Sequence, residues 1–88
     1  MVRRRVVIYG HVQGVFFRDS TRRLAEREGV AGWVRNRPDG AVEAVFEGEP
    51  EAVVRLVRFT REGPRGAQVD RAEVTEEEPE GLRGFSVG

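Results

Sequence analysis

Residues 31–48 read AGWVRNRPDGAVEAVFEG, a sequence that is typical of a strand, a tight turn and a second strand in direct succession. The triplet at 38–40, Pro-Asp-Gly, offers a preset φ, a side-chain hydrogen bond and a residue that tolerates positive φ, which together favour a hairpin turn. Residues alternate in character on both sides of the turn, with the period of a sheet that buries one face more than the other. We therefore predict strands over 31–37 and 42–47, the second ending at Gly48.

Helix signals flank this hairpin on both sides. After it, a helix is predicted from the acidic, proline-containing stretch 49–51 to the Gly-Pro pair at 63–64. The reason is that four residues repeat at i, i+3, i+4 and i+7, the spacing of one helix face: Val53, Leu56, Val57 and Thr60. Before it, Asp, Ser and Thr at 19–21 are residue types that cap helix starts, and Gly29 is a natural stop. We predict a first helix between those points.

Three further segments complete the order of elements. Residues 3–9 and 69–75 predict strands, the acidic run 76–78 predicts a solvated strand end or loop, and residues 85–87 predict a last short edge strand. The order β-α-β-β-α-β is that of an α+β, ferredoxin-like βαββαβ sandwich, an antiparallel sheet with two helices on one face. Trp33 and Phe46 are expected in its core. This fold alone implies no function.

The composition supports one soluble domain over residues 1–88. Of the 88 residues 39% are hydrophobic and 34% are charged, and a chain this short builds a single core. All 15 cationic side chains are Arg, whose planar guanidinium suits forked contacts with carboxylates and phosphates. There is no Cys and only one His, His11, which rules out a thiolate nucleophile and a histidine-rich metal site. We expect no metal and no cofactor.

Charge and hydropathy also limit location and partners. The 15 Arg balance 15 Asp and Glu, and a net charge of zero argues against nonspecific nucleic-acid binding. The apolar run at 6–9 is too short for a signal peptide, and no stretch is long enough to span a membrane. We expect a cytoplasmic monomer with no nucleic-acid and no membrane partner. A small local anion site remains compatible with zero net charge.

The loop between the first strand and the first helix has features of an anion cradle. A chain that turns at Gly14 and enters a helix directs several backbone N–H groups towards one point, and the helix start adds partial positive charge. Arg18 lies where its guanidinium can close over the same anion. The alternative is an ordinary strand-to-helix turn with a surface arginine. These features alone do not decide between an anion site and such a turn.

Two further polar residues are candidates for chemistry. Asn36 precedes the hairpin turn, where its amide can both donate to and accept from a water molecule, although asparagine is also simply common near turns. His11 has a suitable intrinsic pKa for acid–base catalysis, but a lone loop histidine is more often a surface residue. Phe16 and Phe17 line either the core or the mouth of a pocket.

Two stretches carry a family resemblance: residues 10–18, GHVQGVFFR, and residues 32–43, GWVRNRPDGAVE. They resemble the two signatures of the acylphosphatases, and the likeness extends over essentially the whole chain. It implies hydrolysis of small-molecule acyl phosphates to a carboxylate and inorganic phosphate, without a metal or a covalent intermediate. It also implies that Arg18 binds phosphate and Asn36 positions the attacking water. The implied phosphate cradle runs through Gln13, Gly14, Val15, Phe16, Phe17 and Arg18. One departure is His11, where the family often has arginine.

Two rival functions stay open at this point. A noncatalytic ligand- or RNA-binding module has the same order of elements, but such RNA binders expose aromatic side chains on the open sheet face, and strand aromatics are few here. A second rival is the acylphosphatase-like domain that begins larger hydrogenase-maturation proteins and handles carbamoyl phosphate. The cysteine-rich segments that follow it in those proteins are absent from this sequence, which favours a stand-alone enzyme.

Overall fold

The structure, a computed structural model, describes all residues from Met1 to Gly88. Every predicted element is present. The first and fourth strands both extend beyond their predicted ends, because they pair with each other along most of their length. The elements in chain order are β1 (Val2–His11), α1 (Phe17–Glu28), β2 (Ala31–Asn36), β3 (Val42–Gly48), α2 (Pro50–Glu62), β4 (Gln68–Glu77) and β5 (Phe85–Val87). No helix has both the length and the apolar character needed to cross a membrane.

The sheet has the strand order β4-β1-β3-β2-β5. β1 pairs antiparallel with both β3 and β4, and β2 pairs antiparallel with β3, which confirms the ferredoxin-like α+β prediction for four strands. β5 pairs parallel with β2, so the whole sheet is mixed. The direction of β5 follows from the connection: residues 78–84 cross the end of the sheet at which β4 finishes, and the chain re-enters in the direction of β2.

One hydrophobic cluster of 13 buried residues lies between the helices and the sheet. The predicted helix face is confirmed in α2, where Val53, Leu56 and Thr60 are buried. Phe17 at the start of α1 is also in the core and contacts the ring of Phe59, with 6.5 Å between centroids. This packing fixes the start of α1 beside the end of β1.

The opposite face of the sheet is covered by ion pairs rather than by helices. We call this set of side chains the outer-face network: Arg3, Arg5, Arg35, Glu43, Glu47 and Glu77. All seven residues of the central strand β3 are buried, including Glu43 and Glu47. The prediction that β3 buries one face more than the other is therefore wrong, because guanidinium groups and residues 80–82 shield its second face.

Trp33 is not in the core, contrary to expectation, whereas Phe46 is. The alternation of β2 places Val34 towards the helices, so Trp33 lies on the outer face, half-buried. There its ring has the guanidinium carbons of Arg5 and Arg35 at 5.5 and 5.1 Å from its centroid. Trp33 thus shields the outer-face network, and its π face is engaged by cations.

Candidate active site

A cleft of ≈ 480 Å³ opens where the end of β1, the start of α1, the end of β2 and the end of β5 meet. It brings together most of the predicted site, because the chain ends of β1 and β2 approach the same helix terminus. Five of the seven predicted residues line the cleft, and Gln13 and Val15 do not. The full lining consists of Val12, Gly14, Phe16, Phe17, Arg18, Asp19, Arg22, Asn36 and Val87.

The loop over residues 12–16 turns through two left-handed residues. Gly14 has φ 75°, and Phe16 has φ 59° and ψ 24°, which makes Phe16 the one residue other than glycine with positive φ. A bulky side chain in this conformation is strained, and the surrounding structure has to hold it there. The ring of Phe16 is 81% exposed at the mouth of the cleft.

α1 begins at Phe17, two residues before the predicted capping residues. Phe16 is its N-cap and no side chain caps it, while Thr21 donates its hydroxyl to the main-chain oxygen of Phe17 inside the helix. The prediction that Asp19, Ser20 or Thr21 caps this helix is therefore wrong. The reason is that the buried ring of Phe17 starts the helix earlier. The first backbone N–H groups of α1 have no intrahelical acceptor, and the residues that carry them, Phe17, Arg18 and Asp19, line the cleft at the positive end of the helix dipole.

Arg18 is half-buried and takes part in no ion pair. Its Nη1 donates to the main-chain oxygen of Gly88 at 2.6 Å, and the N–H of Gly88 in turn donates to the oxygen of Val34 at 2.9 Å. One nitrogen of the guanidinium is thereby tied to the sheet. Its remaining N–H donors stay available to an anion in the cleft.

Asn36 is the last residue of β2 and lies opposite Val42. Its Oδ1 is buried and has no hydrogen-bond partner, the only side-chain polar atom of the structure in that state. A buried amide oxygen without a donor is costly unless a polar group comes to it. Asn36 lines the cleft, so its side chain contributes to the cleft wall an amide whose oxygen is unsatisfied.

Gln13 and Val15 hold the loop rather than line the cleft. The Nε2 of Gln13 donates to the main-chain oxygens of Arg37 and Ala41 at 2.9 and 3.0 Å, which ties the loop to the β2–β3 hairpin. Val15 is half-buried against the core. Any contact of these two residues with phosphate would therefore come from their backbone.

Asp19 and Arg22 line the cleft but were not predicted from the sequence. Arg22 donates to Asp19 at 2.7 Å and to Glu26 at 3.1 Å, and Arg23 lies 3.0 Å from the other oxygen of Asp19. The hydrogen bond from Arg22, with the nearby charge of Arg23, lowers the pKa of the Asp19 carboxyl. Their i, i+3 and i, i+4 spacing on a helix was the available signal. The negative charge of Asp19 is compensated, so it does not repel an anion held by Arg18.

The remaining candidate, His11, is exposed at the end of β1 and does not line the cleft. No three His, Asp or Glu side chains come together in a group that could hold a metal ion. The chemistry that the cleft offers is therefore anion binding by backbone N–H groups and one guanidinium, beside a single unpaired amide oxygen.

Comparison with known proteins gives a consistent result. The family model described as Acylphosphatase matches residues 4–87. An acylphosphatase of Rubrobacter xylanophilus is 66% identical over 85 residues, which cover 94% of this chain and 76% of that protein. The crystal structure of an acylphosphatase from Bacillus subtilis superposes with a TM-score of 0.95 at 37% identity, covering 100% of this chain and 99% of that one. HypF of T. kodakarensis is 31% identical with a TM-score of 0.84, but the match covers only 12% of that chain.

Proposed function

Since this chain belongs to the acylphosphatase family, we propose that it hydrolyses acyl phosphates to a carboxylate and inorganic phosphate in the cleft at the start of α1. The observation that carries the proposal is the meeting in one cleft of an arginine that forms no ion pair, uncapped helix N–H groups and an asparagine whose amide oxygen has no donor. The first two are suited to a phosphoryl group, and the third is suited to a water.

Arg18 and the loop hold the phosphoryl group in this proposal. The backbone N–H groups between Gln13 and Arg18 form the cradle, and the guanidinium of Arg18 binds two phosphoryl oxygens as a fork. Because Gly88 already holds one of its nitrogens, Arg18 loses little conformational freedom when the anion arrives. Donors placed in advance stabilise the charge that spreads over the equatorial oxygens during transfer.

Asn36 positions the attacking water. When the side chain turns its unsatisfied Oδ1 into the cleft, this oxygen accepts a hydrogen bond from the water and holds it in line with the bond to the leaving oxygen. Asparagine cannot remove a proton, but a loose phosphoryl-transfer transition state needs little activation of the nucleophile. The leaving carboxylate has a conjugate acid with pKa of about 4, so it departs without a general acid. This reaction needs no metal, no cofactor and no covalent intermediate.

The same reasoning extends to the setting in which the protein acts. We propose a single domain over residues 1–88 that acts as a cytoplasmic monomer on small acyl phosphates, without a nucleic-acid or membrane partner. The outer face of the sheet supports the exclusion of RNA, because its central strand is covered by ion pairs and the ring of Trp33 contacts two guanidinium groups instead of presenting an open stacking surface.

Hydrolysis of benzoyl phosphate by the purified protein tests the proposed function. We expect turnover that inorganic phosphate inhibits competitively, because product and substrate share the cradle. Arg18→Ala removes the fork and is expected to abolish turnover and to weaken phosphate inhibition to the residual affinity of the backbone N–H groups. The matched control is Arg27→Ala, an exposed residue of the same helix outside the cleft, which should retain activity. Unchanged turnover in Arg18→Ala would contradict the proposal.

A further inference from the structure

Glu47 is a buried acid far from the cleft whose carboxylate is fully occupied. Its side chain is 5% exposed, on the outer face of the sheet. The oxygens accept from the backbone N–H groups of Glu80, Gly81 and Leu82 at 2.9, 3.1 and 3.0 Å, and from the Nη1 of Arg3 at 2.6 Å. Three successive backbone donors on one carboxylate fix the path of the chain at 80–82.

The segment that Glu47 holds leads directly into β5. The main-chain oxygen of Gly84 accepts a hydrogen bond from the N–H of Gly32 at 2.9 Å. The ring of Phe85 stacks on that of Phe46, which is in the core, with 5.9 Å between centroids. The chain then runs beside β2 to Gly88, whose main-chain oxygen accepts a hydrogen bond from Arg18. One continuous series of contacts therefore joins the carboxylate of Glu47 to the guanidinium of Arg18.

We propose that Glu47 is a positioning residue for Arg18: it anchors residues 80–82, and through them β5 and Gly88, so that the guanidinium faces the phosphoryl group. This inference rests on the proposed function, because it takes Arg18 as the phosphate ligand. Glu47 touches neither the substrate nor the reacting atoms. Its effect is carried by where the main-chain oxygen of Gly88 lies.

The need for an anchor follows from how short β5 is. β5 has three residues, at the edge of the sheet, and the side chains of Ser86 and Val87 are exposed. Short edge segments with few buried contacts open locally at low free-energy cost. When β5 opens, Gly88 leaves Arg18, and the guanidinium then has to be ordered at the moment when phosphate binds, which weakens binding.

The chain offers a closely matched control in Glu43. Both glutamates lie on the outer face of β3, both are buried, and both pair with arginines of the outer-face network. Only Glu47 contacts residues 80–82. Glu47→Gln and Glu43→Gln therefore remove comparable buried charges, but only Glu47→Gln also replaces an acceptor of the backbone N–H groups of residues 80–82 by a donor.

The measurement is the inhibition constant of inorganic phosphate against benzoyl phosphate hydrolysis, together with KM and kcat, for both variants, with folding checked by circular dichroism. We expect Glu47→Gln to raise the phosphate inhibition constant and KM roughly tenfold, and Glu43→Gln to change them by less than about twofold. Glu47→Asp keeps the charge but withdraws it from the segment, and we expect an intermediate rise. It replaces the glutamine variant if that one does not fold. Equal effects in the position 47 and 43 variants would overturn the inference.

A double-mutant cycle with Arg18→Ala separates this inference from the proposed function. Phosphate binding is followed by the amide NMR shifts of residues 13–18. In the Arg18→Ala background, Glu47→Gln is expected to add no further loss of affinity, because the group that it positions is gone. A full additional tenfold loss in that background would overturn the inference. If Arg18→Ala alone binds phosphate as well as the unchanged protein, the proposed function fails, and the inference fails with it.

Discussion

We expect the protein to lose stability at low pH, in part because the carboxylate of Glu47 becomes protonated. Burial alone would raise the pKa of this carboxyl, but the hydrogen bond from the N–H of Glu80, the guanidinium of Arg3 and two further backbone donors outweigh burial and lower the pKa from 4.5 to about 2. A pKa that is lower in the folded state contributes stability above the unfolded value of 4.5, and that stability is lost as the pH falls towards 2. At about 1.4 kcal/mol per pH unit, the contribution of Glu47 is about 3 kcal/mol.

Urea unfolding of the unchanged protein and of Glu47→Gln, at about pH 7 and about pH 2, measures this contribution directly. Other carboxylates titrate in both proteins, so their effects cancel in the comparison. Between about pH 7 and about pH 2, we expect the free energy of unfolding to fall by about 3 kcal/mol less in Glu47→Gln than in the unchanged protein. Glu76→Gln is the control, because Glu76 is 72% exposed and its ion pair with Arg4 contributes little. If Glu47→Gln and the unchanged protein lose the same unfolding free energy in acid, Glu47 does not make this contribution.

Three further outcomes are expected. Asn36→Ala should lower kcat by about 100-fold while the phosphate inhibition constant changes little, because Asn36 holds the water and not the anion; an equal loss of phosphate affinity would make Asn36 an anion ligand. Gly32→Ala should lower the free energy of unfolding, measured in urea, by at least about 3 kcal/mol, because the added Cβ would lie 1.8 Å from the main-chain oxygen of Val45. The control is Gly40→Ala, whose added Cβ meets no atom within 4 Å and which should lower the free energy of unfolding less. Benzoyl phosphate hydrolysis should continue unchanged in EDTA, and a chelator-sensitive rate would contradict the metal-free reaction.

Elements with strong local signals were predictable from the sequence. The hairpin around Gly40 and the helix α2 depend on turn chemistry and on a 3.6-residue period, and both are present with nearly the predicted bounds. The face on which Trp33 lies and the burial of Glu47 were not predictable, because they depend on guanidinium groups contributed by other strands. The parallel direction of β5 likewise depends on where the connection crosses the sheet.

The candidate site likewise has some features that the sequence predicts and others that it does not. Arg18 and Asn36 stand in stretches that resemble a known family, and the structure brings both to one cleft. The early start of α1 at Phe17 follows from burial of that ring, and the side chain of Gln13 reaches the hairpin instead of the cleft. The contact between Arg18 and Gly88 spans 70 residues of sequence, and no local pattern signals it.

In the proposed mechanism the forked guanidinium of Arg18 binds the phosphoryl group, and the variant Arg18→Lys distinguishes the fork from a simple positive charge. Lysine keeps the positive charge but offers a single point of donation, so it cannot reproduce two parallel hydrogen bonds. We expect kcat/KM for benzoyl phosphate to fall at least about 100-fold in Arg18→Lys, and to change little in the control Arg27→Lys. A value for Arg18→Lys close to that of the unchanged protein would contradict the account.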